Sequence, residues 1–464
     1  MKKLCLFLAL LFLVGCTPKQ AQPTAPSKHT EQASPQIQSS AYELYSYKNG
    51  ARNLAIDMNG RVVMEVYDGQ LSIMKRDGQS IGICVTRTEG SVTDEWGWKS
   101  PETYRSDIYD VTGKFRFSVP LSYVSAEGDY LIGYDPKVGS IRAYDRSDGK
   151  LLYDNVQNHF PLGDAYVMQL PSGTFIFHDD GTRITLPEEY LVRYGFSEEY
   201  IIVGKNGLQG LLNSNAEEVL PCRYTWLTTG DNGYVYVQEE GSDHQVIDPQ
   251  TGETIFRWPY SISSMPTKDC AVVAVDDDYS GYQLVDLSGQ PIISEEFSWI
   301  NCYRVSEGSD PILQAIAEDR DSPVLFRPDG TILYAGEGSG YCTVLNEQMA
   351  MTCQYGTDSN SWYLLDLESG SKTELPNQGD SYYSQLYGVD GAEGYLLRGY
   401  TNEQGWYRHD ILDAKGNMIL SDLQDCAYLG NGIVQCRQGF RSGLLHLDGT
   451  WLYQEGTFSA MDDG

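Results

Sequence analysis

The chain has 464 residues, with 33 Lys and Arg against 64 Asp and Glu, and a formal net charge of −31 at pH 7. A surface this acidic argues against binding to nucleic acid or to anionic lipid, because both are negatively charged. It favours solubility first and basic partners second.

The N-terminus has the order of a bacterial lipoprotein signal. Met1-Lys2-Lys3 is basic, Leu4 to Val14 is apolar but too short to span a bilayer, and Leu13-Val14-Gly15-Cys16 follows. We predict a signal peptide over residues 1–15 and a lipidated Cys16. Two or more acyl chains, such as palmitate, would anchor the protein stably on the extracytoplasmic face of a bacterial cell membrane. The alternative is an ordinary secretory signal with a chance cysteine.

Residues 16–41, which begin with the lipidated Cys16, are predicted to be a flexible tether. They are rich in Pro, Ser, Gln, Thr and Ala and show no hydrophobic period. A flexible coil of this length reaches about 25–30 Å, which would hold a folded body away from the membrane. That body is predicted over residues 42–464. A single layered core of this size usually divides into domains, whereas in a ring of repeats each unit packs only on its neighbours.

The stretch 205–224, KNGLQGLLNSNAEEVLPCRY, indicates two short strands around a tight turn. Gly207 to Leu212 suits a strand that is packed on one face and crowded by a neighbouring backbone. Asn213 to Ala216 is turn chemistry, because Asn tolerates the left-handed conformation of a hairpin corner. Glu218 to Leu220 resumes the strand, and Pro221 is expected to end it because proline cannot donate to a ladder.

This stretch resembles a WG repeat of bacterial surface proteins, whose pattern runs roughly G-x-W-G-L-[IL]-[DN]-x-x-G-x-x-[VI]-[IL]-P-x-x-Y. The positions that fit are Gly207, Gly210, Leu211, Leu212, Asn213, Val219, Leu220, Pro221 and Tyr224. Gln209 stands where the family has Trp, and Ala216 where it has Gly. The resemblance implies a repetitive, propeller-like all-β fold and no enzyme activity.

Looser variants of the turn recur from about residue 43 to the C-terminus. They are found at Asp57–Gly60, Asp110–Gly113, Asp145–Gly149, Asp179–Gly181, Asn213–Ala216, Asp248–Gly252, Asp286–Gly289, Asp329–Gly330, Asp366–Gly370, Asp413–Gly416 and Asp448–Gly449. Apolar or aromatic runs flank each turn, which predicts units of three or four short antiparallel strands. We predict an all-β, propeller-like ring of about ten or eleven repeats. The spacing leaves open an unusually large ring, partial blades, two modules and a solenoid. The last unit is a candidate to share a blade with the first strand, which would close the ring.

The periodicity is weakest between Gly78 and Asp110, which predicts an insertion. Asp94, Glu95, Trp96 and Trp98 lie there, and two indoles beside two carboxylates could stack on and hydrogen-bond a sugar or a peptide. They are our candidate binding residues. The alternative is that the two Trp side chains pin a long loop to its blade.

The sequence contains little that indicates a metal site, a cofactor site or a catalytic site. The segment Asp276–Gly281 resembles the start of a calcium loop, but its twelfth position is Leu287 rather than Glu, so we predict a polar hairpin corner. No nucleophile elbow or zinc motif stands out, and we predict no metal, cofactor or catalytic residue. Two cysteine pairs, Cys342/Cys353 and Cys426/Cys436, are close enough in sequence to be cross-strand neighbours. Disulfides and buried free thiols are both consistent with that spacing.

We therefore expect a membrane-anchored binding or scaffolding lipoprotein whose partner is an envelope protein or a cell-wall glycan, and no nucleic acid. The alternative is a hydrolase or lyase that acts on glycan or peptide with carboxylates in the propeller channel. Several carboxylates that converge with an Arg or His at one channel mouth, with perturbed pKa values, would favour the enzyme.

Overall fold

A computed structural model describes residues 43–455 apart from residues 77, 94–95, 164, 179, 196–198, 231–232, 305–308, 318–321, 338, 357–359, 377–380 and 387–394. The described residues form strands, turns and bends, and no helix occurs among them. In that part of the chain no helix is long and apolar enough to cross a membrane. The predicted signal peptide, the lipidated Cys16 and the tether lie outside the described residues.

The strands of the described residues pair into ten antiparallel sheets, one of them a short two-stranded hairpin and two of them seven-stranded. Each seven-stranded sheet contains two units, units 7 and 8 in one and units 10 and 11 in the other. With the short hairpin assigned to unit 2, this gives eleven units, numbered here in chain order. Units 1 to 4 contain β1 (Leu44–Asn49), β2 (Arg52–Asp57) and β3 (Val62–Val66); β4 (Gln70–Arg76), β5 (Gln79–Glu89), β6 (Val92–Thr93), β7 (Lys99–Ser100), β8 (Thr103–Tyr109) and β9 (Phe115–Val119); β10 (Ser125–Glu127), β11 (Tyr130–Asp135), β12 (Ser140–Asp145) and β13 (Leu151–Val156); and β14 (Asn158–Leu162), β15 (Ala165–Leu170), β16 (Gly173–His178) and β17 (Arg183–Thr185). Units 5 to 8 contain β18 (Leu191–Gly195), β19 (Tyr200–Lys205), β20 (Leu208–Asn213) and β21 (Glu218–Tyr224); β22 (Trp226–Thr229), β23 (Val235–Gln238), β24 (His244–Ile247) and β25 (Thr254–Trp258); β26 (Ile262–Thr267), β27 (Cys270–Ala274) and β28 (Tyr282–Asp286); and β29 (Phe297–Tyr303), β30 (Ile312–Ala317), β31 (Ser322–Phe326) and β32 (Ile332–Ala335).

Units 9 to 11 contain β33 (Gly340–Val344), β34 (Met349–Gln354), β35 (Ser361–Asp366) and β36 (Lys372–Glu374); β37 (Tyr382–Gln385), β38 (Leu396–Thr401), β39 (Tyr407–Leu412) and β40 (Met418–Gly430); and β41 (Ile433–Gln438), β42 (Arg441–His446) and β43 (Trp451–Glu455). The long strand β40 is the last strand of unit 10 and also the first strand of unit 11. In unit 7 a single bridge, Val285 to Pro291, stands in the place of a fourth strand.

The recurrent Asp or Asn turns mark the units one for one, each just before the unit's last strand or, in unit 7, its closing bridge. In unit 7 the Asp286 Oδ1 accepts the backbone N–H groups of Ser288 at 2.8 Å and Gln290 at 2.9 Å. Gly289 takes the positive φ of 81° that the corner needs. In unit 5 Asn213 accepts two backbone N–H groups in the same way, both at 2.9 Å.

The carboxyl groups of these turns predict that the fold loses stability at acidic pH. Hydrogen bonds from hydroxyl or backbone N–H groups lower the pKa of six turn carboxyls, Asp145, Asp180, Asp286, Asp329, Asp366 and Asp448. A lowered folded-state pKa stabilises the fold above the unfolded value, near 3.8, and the contribution is lost as the pH falls through the folded value. The melting temperature, followed by circular dichroism, should therefore fall as the pH drops below about 4. Asp286→Asn keeps an oxygen acceptor for the turn N–H groups, as Asn213 does in unit 5, but cannot be protonated, so it should lessen the fall in melting temperature at low pH. A melting temperature that does not change from about pH 5 to about pH 2 would contradict this prediction.

Each unit packs against the next through an apolar core, and this series closes on itself. Ten clusters join neighbouring units from unit 1 to unit 11. An eleventh joins unit 11 back to unit 1, with Tyr45, Tyr47 and Leu54 against Ile433 and Leu444. First strands of neighbouring units contact one another, as β1 does β4 and β4 does β10. Since blades diverge outward, this places the first strands innermost in a closed, propeller-like ring of eleven units.

The ring closes by packing of side chains across a seam between units 1 and 11. Tyr47 donates its hydroxyl to Ser442 Oγ at 2.8 Å, and Asn49 Nδ2 donates to Glu455 Oε2 at 2.6 Å. The expectation that the last unit shares a blade with the first strand is wrong for the described residues, because β1 pairs only with β2 in its sheet. The closed ring also excludes the two-module and solenoid alternatives.

The motif at residues 205–224 lies in unit 5, where β20 and β21 flank the turn. A Cβ on Gly210 would lie 2.7 Å from the Leu220 carbonyl oxygen, so the predicted close backbone approach is confirmed. Pro221 does not end its strand: β21 continues to Tyr224. The register shifts on both sides of Leu211, and β21 is the last strand of its sheet, where proline is tolerated.

Candidate functional site: the hairpin arm of unit 2

The predicted insertion is a hairpin that extends beyond the other strands of its blade. β4 pairs with β5 as far as Thr86, and β9 pairs with β8 as far as Ser106. Beyond this point β5 and β8 pair only with each other, from Arg87 opposite Arg105 to Glu89 opposite Thr103. We call residues 87–105 the hairpin arm, because no strand of the described residues flanks them on either side.

A network of opposite charges holds the base of the arm. Arg87 and Arg105 lie directly opposite each other, a pairing of like charges that by itself is destabilising. Asp107, whose side chain is only 8% exposed, accepts from both guanidinium groups, with Arg105 Nε at 3.0 Å. Glu89 binds the outer side of Arg105 at 3.0 Å and Asp68 binds Arg87 at 3.1 Å.

The hydrogen bond from Arg87 lowers the pKa of the Asp68 carboxyl, which keeps that end of the network charged. Four of the five charged groups, Arg87, Glu89, Arg105 and Asp107, lie on β5 and β8, so they fix the two strands relative to each other. The base of the arm is therefore rigid, and its direction is set by the blade.

Beyond the base the arm bends and ends in a short second hairpin. Gly90 has a φ of 69°, and the Glu102 side chain lies so close that a Cβ on Gly90 would be 2.6 Å from its carboxylate. After the bend β6 pairs with β7, Val92 opposite Ser100 and Thr93 opposite Lys99. The tip between these two strands contains Gly97, with a φ of 83°.

The tip presents two indoles to solvent. Trp96 is 79% exposed and Trp98 is 76% exposed, the highest values among the large apolar side chains of the described residues. Val92, at 50%, adds to this apolar group. Burial against the blade does not account for side chains this exposed, so the alternative in which the Trp pair pins the loop is not supported. Of the four candidate binding residues, Asp94 and Glu95 lie outside the described residues.

The other sequence-predicted elements have structural places. Asp276 lies in the corner between β27 and β28, and its Oδ1 accepts the N–H groups of Asp278 at 3.1 Å and Ser280 at 3.0 Å. The segment is the polar hairpin corner that was predicted. Over the residues that the structure describes, no group of three or more His, Cys, Asp or Glu side chains is placed to hold a metal ion.

Carboxyl groups of the described residues give no sign of a general acid. Wherever the pKa of such a group is shifted, it is lowered, as at Glu65, Asp68 and Asp154, where an Arg partner is the main cause. A glycosidase acid needs the opposite, a pKa raised by burial or by a neighbouring carboxylate. These lowered pKa values do not favour the hydrolase alternative.

Comparison with known proteins identifies no family: no protein-family model matches the chain, and no curated protein matches it. The resemblance of residues 205–224 to a WG repeat therefore stays a prediction. Among solved structures, the computationally designed Ika8 protein is 12% identical over 71% of this chain and 94% of its own, with a TM-score of 0.26. BamB from Moraxella catarrhalis is 13% identical over 70% and 91%, with a TM-score of 0.25. The C-terminal WD40 domain of Sif2 is 10% identical over 61% and 93%, with a TM-score of 0.28. The fold rests on the strand topology and the ring of cores rather than on these similarities.

Proposed function

We propose that the protein is a membrane-anchored lipoprotein of the bacterial envelope that binds a protein partner through the hairpin arm of unit 2. The observation that carries the proposal is the pair of exposed indoles, Trp96 and Trp98, at the tip of an arm with a rigid base. Indole offers a large contact area at a low cost in side-chain entropy, and Trp is enriched among the residues that dominate binding energies.

The ring supplies the scaffold for this contact. A closed series of packed cores holds the blade of unit 2 in place, so the arm starts from a fixed position on the ring. The acidic net charge of −31 favours a partner with a basic surface around its apolar site. Lipidation of Cys16 and the tether would keep the ring near the membrane while it reorients.

Crosslinking on intact cells that carry the tagged, full-length protein tests this proposal. The wild-type chain should enrich one envelope protein, and the Trp96→Ala/Trp98→Ala variant should lose it. Truncation of one such contact residue costs about 2 kcal/mol or more, so recovery should fall by roughly 30-fold or more at sub-saturating partner.

Two controls separate the parts of the proposal. Trp406→Ala removes another exposed indole, 48% exposed, from the hairpin corner of unit 10 and should leave recovery unchanged. Cys16→Ser should free the protein from the membrane fraction and abolish enrichment of a membrane-proximal partner. Undiminished recovery by the double variant would rule out the arm as the contact, and recovery of cell-wall glycan alone would rule out a protein partner.

A further inference from the structure

The closing unit of the ring contains two cysteines directly opposite each other. In the β40–β41 ladder Cys426 pairs with Cys436 on one rung, between the rungs Asp425–Arg437 and Ala427–Gln435. Residues on one antiparallel rung have their side chains on the same face of the sheet, with Cα atoms roughly 4.5 to 5.5 Å apart. That range lies inside the Cα separation of about 4.4–6.8 Å that disulfides require.

Packing confirms that both thiols face the same side. Cys436 belongs to the apolar core between units 10 and 11, and Cys426 packs against that same core. The pKa of each thiol is raised to about 12, mainly by burial, and a charge on Cys426 adds to the shift at Cys436. Ionisation of Cys426 therefore disfavours ionisation of Cys436, and in the folded protein few of these two thiols are in the reactive thiolate form at neutral pH.

The other cysteine pair of similar spacing makes a contrast. Cys342 lies opposite Thr352, and Cys353 lies opposite Tyr341, so the two cysteines are on neighbouring rungs of unit 9. Cys342 is buried in the core toward unit 8, whereas Cys353 is buried in the core toward unit 10. Their side chains point to opposite faces of one sheet, and a disulfide between them would require the sheet to be rebuilt.

We propose that Cys426 and Cys436 are a disulfide-forming site, which links β40 to β41 when the chain meets a disulfide oxidant. One cysteine thiolate attacks a sulfur of the oxidant, for example oxidised glutathione, and one thiol of the oxidant leaves. The second cysteine thiolate then attacks the sulfur of the first cysteine in this mixed disulfide, forms the Cys426–Cys436 bond and displaces the second sulfur of the oxidant. Two electrons pass to the oxidant, and the two cysteine protons end on its two sulfurs, which gives two thiols. The high pKa values place the reaction mainly during folding, before burial is complete.

The test counts thiols in the full-length protein. The reduced, unfolded chain is refolded with oxidised glutathione, denatured, alkylated, and analysed by intact mass and peptide mapping. The wild type should take up two fewer alkyl groups than its reduced sample, with both losses in the peptides of Cys426 and Cys436. Cys426→Ser and Cys436→Ser should each abolish this loss, and Cys353→Ser should leave it unchanged.

A second measurement avoids dependence on refolding. Protein isolated from cells without reductant, alkylated before and after reduction, should show the same two protected cysteines. Alkylation of both Cys426 and Cys436 before reduction in both preparations would overturn the proposal, as would a mapped Cys342–Cys353 bond or a loss that survives in Cys426→Ser.

Discussion

Replacing Asp410 by alanine is expected to lower the free energy of unfolding by about 3–5 kcal/mol, because it removes one partner of a buried ion pair. The side chains of Arg398 and Asp410 are 4% and 3% exposed, with Arg398 Nη1 3.2 Å from Asp410 Oδ2. Asp410 Oδ1 also accepts the backbone N–H of Asp422 at 2.9 Å and the Tyr400 hydroxyl at 3.4 Å. In the variant the Arg398 guanidinium stays buried but loses its contact with the Asp410 carboxylate. Equilibrium unfolding in urea, followed by circular dichroism, measures the loss.

Two variants show whether the loss comes from breaking this buried ion pair. Arg398→Met/Asp410→Leu removes both charges from the interior of unit 10 and should recover most of the stability. Asp129→Ala breaks a pair with Arg146 whose side chains are 80% and 29% exposed, and it should cost far less, because water screens that pair. Equal losses for Asp410→Ala and Asp129→Ala would contradict the burial of the unit 10 pair.

The repeat number was predictable from the sequence because the turns are local. A carboxylate or amide that accepts backbone N–H groups two and four residues ahead needs no distant partner, as Asp286 and Asn213 show. Eleven local turns that begin with Asp or Asn, one before the last strand or closing bridge of each unit, therefore indicate eleven units. The prediction that Pro221 ends its strand was wrong because a proline interrupts a sheet only where its missing N–H would have paired with a neighbouring strand. The last strand of a sheet has a neighbour on one side only, so proline is tolerated there.

The closure of the ring was not predictable, because it depends on contacts with no sequence period. Tyr47 and Ser442 are 395 residues apart, and nothing local indicates that they meet. The same limit applies to the cysteine pairs. Similar spacings place Cys426 and Cys436 on one rung but Cys342 and Cys353 on neighbouring rungs, since the register is set by the hairpin between them.

The candidate site was found in part. A break in the repeat period located the insertion and its two Trp residues, but the charge network at its base was missed. A signal for it exists: Arg87 and Glu89, and likewise Arg105 and Asp107, are two residues apart, which in a strand places each pair on one face. That signal identifies an exposed polar face, and only the pairing of β5 with β8 shows that Asp107 and Glu89 lie on either side of two Arg residues opposite each other.

The seam should be the weakest joint of the ring, and Glu455 its main polar contact. From unit 11 this carboxylate accepts Asn49 Nδ2 at 2.6 Å and binds the Arg52 guanidinium. Its side chain is 10% exposed, whereas that of Arg52 is 30% exposed, so water screens the pair in part. We expect Glu455→Ala to lower the free energy of unfolding by roughly 2–3 kcal/mol, since two donors of unit 1, Asn49 and Arg52, lose this acceptor.

Hydrogen exchange distinguishes an opened seam from a general loss of stability. In Glu455→Ala the amides of β1 and β2 should lose protection together with those of β42 and β43, while units 4 to 8 keep theirs. Glu65→Ala is the matched control, because it removes the other carboxylate bound to Arg52 but lies within unit 1. Glu65→Ala should leave protection at the seam unchanged. It should lower the free energy of unfolding by much less than Glu455→Ala does. If both variants had the same effect, Arg52 alone would explain the result. A selective loss at the two ends of the chain requires that units 1 and 11 depend on each other, which is the property that makes the eleven units a ring.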